Sequence, residues 1–112
     1  MRKVTIQVEN VEAGLRRFKA AWKTGKSHGE LITFETLGTM LKTLTPKRWE
    51  LVRVLQAEGP LGVRALARTL ERDVKNVHAD VAALREVGLV ENHAKGVWVP
   101  YDVIEAHVRL AA

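Results

Sequence analysis

The stretch 67-ARTLERDVKNVHADVAALREVGLV-90 decides how this chain folds. It reads as the end of a short helix, a break at Glu71–Asp73 and a longer helix running to about Val87. Asp73 is the expected cap of the longer helix, because a short carboxylate accepts hydrogen bonds from the free amides of a first turn. Gly88 supplies the carboxyl-terminal stop. On a wheel of about 100° per residue, Val74, Val77, Val81 and Leu84 gather on one side and Lys75, Asn76, Ala79, Ala82 and Ala83 on the other.

Working outward, Thr45-Pro46 is a helix start: the threonine hydroxyl can cap free amides and proline is tolerated at the first helical position. The helix so begun is predicted from Pro46 to about Ala57, with Trp49, Val52 and Leu55 inward, and Gly59-Pro60 ends it. A second helix is predicted from about Val63 to Leu70, burying Leu66, Ala67 and Leu70. Downstream, LVENHAKGVWVP has the form strand, four-residue turn, strand, with Lys95-Gly96 at the tip of a hairpin. Farther out, KVTIQV (3–8) alternates apolar and polar residues as a strand with one buried face does. Asn10 then caps a predicted helix whose apolar stripe is Val11, Leu15, Phe18 and Trp22, and Gly25 ends it. LITFE reads as a short strand, TLGTMLKTL as a brief helical piece, and IEAHVRL (104–110) as a terminal strand. The expected class is therefore α+β.

With 112 residues the chain can bury one moderate core and little more. No apolar run approaches the roughly 18 residues that cross a bilayer, so no membrane association is expected. The first ten residues have no apolar segment of the kind that directs export, and the absence of cysteine removes disulfides and thiolate metal sites. A cytoplasmic location is the expectation. The formal charge of +5 and pI near 9.9 favour an acidic partner, but distribution decides more than the total. Residues 45–100 carry nine basic and seven acidic groups, yet Arg64, Arg68, Arg72 and Lys75 bunch at the start of the opening stretch and just before it.

That bunching, and the outer face of the longer helix, point to double-stranded DNA. Lys75 and Asn76 lie in the first turn, where a recognition helix meets base edges, and an asparagine amide can bridge adenine with two hydrogen bonds. Ala79 and Ala83 let the helix axis approach the groove floor. His78, at the boundary of the face, can donate to phosphate or pack against the hairpin, and Lys95 can reach the backbone from the hairpin tip. Nothing comparable supports catalysis. The four histidines are scattered, no two stand at metal-ligand spacing, and no nucleophile elbow, phosphate loop or dinucleotide turn is present. No catalytic residue, metal or cofactor is expected.

The segment LTPKRWELVRVLQAEGPLGVRALARTLERDVKNVHADVAALREVGLVE resembles the winged helix-turn-helix of MarR-like prokaryotic regulators over roughly residues 44–100. The resemblance implies a winged helix-turn-helix at 44–100, to which the patterns outside it add a strand-helix-strand extension at 1–43 and a strand or tail at 101–112. It implies a DNA-binding transcriptional regulator, a repressor in the first instance. The combination of MRKVTIQVEN, LTPKRWELV and VWVPYDVI is similar to small antitoxin-like regulators, which implies a toxin protein as a further partner and autoregulation of the shared operon. One position departs from the helix-turn-helix pattern, since Glu71 stands where the turn often has glycine, and it adds a negative charge close to DNA. The other class of function is a winged-helix module turned toward a protein partner.

Alternating KVTIQV and IEAHVRL each present a strand edge, and the stripe on the first helix needs a cover. Val4, Ile6, Val8, Leu15, Phe18 and Trp22 are accordingly the expected interface of a homodimer, or of the partner protein.

Overall fold

The computed structural model describes residues 1–10, 12, 16 and 30–110. They form an α+β fold in two compact units, one made of Thr43–Asp102 and the other of Met1–Lys42 with Val103–Ala112. Among the described residues no helix is long and apolar enough to cross a membrane.

The Thr43–Asp102 unit is built on three helices that we label α2 (Pro46–Glu58), α3 (Val63–Leu70) and α4 (Val74–Val87). Side-chain chemistry sets their limits. Thr45 Oγ1 accepts from the Arg48 amide at 3.3 Å, and Pro46 opens α2 without forfeiting a helical hydrogen bond. Gly59, at φ 81°, and Gly88, at φ 94°, end α2 and α4 in backbone conformations that a side chain would strain. Leu51, Val52 and Leu55 from α2, Leu66 and Ala67 from α3, and Val77, Val81 and Leu84 from α4 are all buried. Leu89, Val90, Val97 and Val99 are buried in the segment that follows. Fully burying a side chain of leucine or valine size contributes about 1.5–3 kcal/mol, so this core is what holds α3 and α4 in place.

Three inward assignments are corrected. Trp49 is half-buried while its neighbour Leu51 is fully buried, Leu70 is half-buried, and Val74 is 39% exposed. The wheel treats a helix as endless. Val74 is the first residue of α4, so no preceding turn of the helix stands beside it.

Strands β3 (Glu91–His93) and β4 (Gly96–Trp98) form the expected hairpin, but its tip is the two-residue pair Ala94-Lys95 rather than a four-residue turn. His93 pairs directly with Gly96. Leu61 adds a third backbone to this sheet, exchanging two hydrogen bonds with Val97 at 3.0 and 2.9 Å. The approach is so close that a Cβ on Gly96 would run into the Leu61 carbonyl.

In the other unit, β1 (Lys3–Val8), β2 (Glu30–Phe34) and β5 (Val103–His107) make a sheet in the order β2-β1-β5, with both pairings parallel. The register places Ile6 beside Ile32 on one side and Ala106 on the other. Val4 and Ile6 are fully buried. The period of two is thus realised on β1, with Lys3, Thr5 and Gln7 on the opposite face. Arg2 grips Glu30 with two hydrogen bonds of 2.8 and 2.9 Å, and Lys3 pairs with Glu105 at 3.3 Å, so charges tie the amino-terminal strand to both neighbours. Helix α1 (Leu37–Thr43) follows β2, with Thr36 Oγ1 accepting from the Thr39 amide at 3.1 Å.

Two expectations about this unit change. KVTIQV is the central strand, not an edge, so Val4 and Ile6 are already covered within the chain and Val8 is half-buried. The terminal strand ends at His107, and Val108 and Leu110 lie beyond it, exposed. Glu12 and Arg16 are helical and paired at 3.0 Å. The expected stripe of Val11, Leu15, Phe18 and Trp22 lies outside the described residues.

Candidate nucleic-acid interface

Only Glu71, Arg72 and Asp73 separate α3 from α4, and each has a distinct task. Glu71 adopts the left-handed conformation, with φ 54° and ψ 47°, the sole non-glycine residue at positive φ among those described. Its amide bonds the Arg68 carbonyl at 3.1 Å and the Arg72 amide reaches back to Ala67 at 3.0 Å, closing the end of α3. The Glu71 side chain is exposed. Asp73 Oδ1 accepts from the Lys75 amide at 2.8 Å and the Asn76 amide at 3.3 Å, satisfying the first donors of α4 and placing a negative charge at its positive end.

Arg72 does not join the outer cluster assigned to it from the sequence. It turns inward, its Nη2 donating to Asp80 Oδ2 at 2.7 Å, while Arg48 Nε from α2 donates to Asp80 Oδ1 at 3.0 Å. Arg48 Nη1 also donates to the Thr43 carbonyl at 2.9 Å. The side chains of Asp80, Arg72 and Arg48 are 15%, 19% and 22% exposed. Burial pushes the Asp80 carboxyl upward. The hydrogen bonds and charges of the two guanidiniums outweigh it and hold the group below the ordinary aspartate range. Arg72 Nη1 is buried with no hydrogen-bond partner among the described residues. One carboxylate therefore pins α2, the turn and α4 together.

The other sequence-derived residues face water. Arg64 and Arg68 are exposed on α3, and Lys75, Asn76, His78 and Ala79 are exposed on α4. Ala82 and Ala83 are half-buried. Lys95 is exposed at the hairpin tip, where its amide donates to His93 Nδ1 at 3.1 Å. The His93 ring meets Trp98 edge-on with centroids 5.2 Å apart. Arg85 Nη1 donates to Asn92 Oδ1 at 3.2 Å and so links α4 to β3.

Sequence reasoning missed Arg48, Asp80, Leu61 and the exposure of Val74. Arg48 and Asp80 are 32 positions apart and carry no spacing signal. Among the described residues no group of three or more histidines, aspartates or glutamates could hold a metal ion.

A short helix, a tight turn, a second helix with a capped start and a small polar outer face, and a hairpin define an α+β protein in which the tip of α4 is solvated. The sequence model of the HVO_A0114 family matches residues 43–106, more than half of the chain, and the chain belongs to that family. The match opens at Thr43, where the helical unit begins, and runs into β5. No curated protein matches the chain. No solved structure matches it.

Proposed function

We propose that the Thr43–Asp102 unit is a winged helix-turn-helix of the MarR-like kind and that the chain is a sequence-specific regulator of transcription. In this reading it acts in the cytoplasm as a homodimeric repressor on double-stranded DNA. The observation that carries it is the tip of α4, where Lys75, Asn76, His78 and Ala79 are all exposed on a helix fixed by its own cap and by the Asp80 clamp. A recognition helix needs that combination of a rigid seat and a polar, low-relief end. Arg64 and Arg68 on α3 supply cations for phosphate, and Lys95 supplies one from the hairpin. Glu71 opposes binding by its charge, whereas Asp73 is engaged with the amides of α4.

Fluorescence anisotropy with the duplex upstream of the protein's own gene, against a random duplex, tests this reading. Asn76→Ala is expected to cost about 1–3 kcal/mol on the specific duplex and to relax discrimination. Arg68→Ala is expected to weaken both duplexes alike and to lower the salt slope by about one unit. Equal binding of both duplexes by the wild type, or none, turns the helical unit toward a protein partner instead.

A further inference from the structure

Resting on the DNA-binding reading above, the geometry points to a hydrophobic reader at the very start of the recognition helix. We propose that Val74 contacts the C5-methyl group of a thymine in the major groove, adding an apolar element of specificity to the polar one assigned to Asn76. Four features of the site carry this.

Val74 is 39% exposed, whereas Val77, Val81 and Leu84 on the same helix are 0%, 1% and 0% exposed. It does not belong to the core. It is the first residue of α4, directly after the cap, and Asp73 fixes the backbone of that turn through the Lys75 and Asn76 amides. A β-branched side chain in a helix holds essentially one rotamer, so presenting it to a ligand loses little further freedom. Its surroundings are polar: Asp73, Lys75, Asn76 and His78 are all exposed.

In the major groove, thymine alone among the four unmodified bases carries a methyl group, and apolar contact is how a protein distinguishes it. Residues two apart leave a helix in different directions, so in the first turn of α4 Val74 and Asn76 would meet different groups of the duplex, one by a methyl contact and one by an amide.

The test uses the full chain and duplexes recovered by it from a randomised synthetic pool. Each thymine of the recovered duplex is replaced in turn by uracil, which removes the methyl and leaves every hydrogen-bonding group in place. One replacement is expected to weaken wild-type binding about fourfold, the worth of one buried methylene-sized group. Val74→Ala is expected to keep the wild-type melting temperature, because the side chain lies outside the core, and to bind both forms of that duplex equally. Val74→Ile is expected to keep the preference. If the wild type binds every uracil duplex as tightly as its thymine parent, or if Val74→Ala retains the same preference, this assignment is wrong while the DNA reading stands. If the chain recovers no duplex from the pool, both are wrong.

Discussion

Asp80 sits between two guanidiniums at 2.7 and 3.0 Å, and its side chain is only 15% exposed, so neither partner can be removed without leaving charge in a poorly solvated place. Asp80→Asn leaves Arg48 and Arg72 with no carboxylate and is expected to cost about 3 kcal/mol in urea unfolding at neutral pH. The pH dependence follows from the direction of the shift. The folded carboxyl titrates below its ordinary 3.8, so its contribution is complete at neutral pH and is lost as pH falls below 3.8 through the lowered folded value. Wild type should lose stability along that acid limb, and Asp80→Asn should lose less. Glu30, held low by Arg2, and Glu105, held low by Lys3 and His107, titrate in the same direction. Both are in exposed pairs, so measuring in high salt suppresses them and isolates Asp80. An unchanged acid limb in the variant would mean that the clamp contributes nothing to stability.

At the scale of the element, the hairpin depends on one backbone approach. Gly96 has φ 136° and has Leu61 where a Cβ would stand, so Gly96→Ala must push the Leu61 segment away from β4 and break the pair of bonds with Val97. A loss of about 2–3 kcal/mol is expected from strained backbone and lost hydrogen bonds together. Hydrogen exchange at Val97 should rise in the variant, and unaltered protection there would contradict the account. None of this was legible in the sequence, because a single bridging residue has no periodicity. The helices were legible, since their limits are written in local chemistry: Thr45-Pro46, Asp73, Gly59 and Gly88 act on amides and carbonyls a few positions away. The turn at Glu71 was legible as a departure, and its left-handed backbone is the physical meaning of that departure. The Asp80 clamp and the inward turn of Arg72 were not, because wheel position says which way a side chain leaves its helix and not which distant group meets it. Strand alternation likewise gave the buried face of β1 but not its neighbours, for parallel partners lie far apart in the chain.

For the whole molecule, the sheet order revises how the proposed dimer would form. With β1 in the centre, the edges among the described residues are β2 and β5. Glu105 and His107 mark β5 with ionisable groups, whereas Leu31 to Phe34 in β2 contains no charge and no proline, the devices that ordinarily block strand addition. Antiparallel pairing of β2 with its own copy would join two such edges about a two-fold axis. Light scattering on the full chain should then give twice the 12.5 kDa of one chain, and a single-chain mass at high concentration would sink the dimer without touching the DNA reading. The same sheet also orders events in time. Residues 43–102 are spliced into the connection that separates β1 and β2 from β5, so a ribosome must complete the helical unit before it delivers the third strand. The helical unit has its own core, which favours its folding as a unit on the emerging chain. Until Val103–His107 emerges, β1 has one flank without its strand, so the sheet closes only after the helical unit has been made.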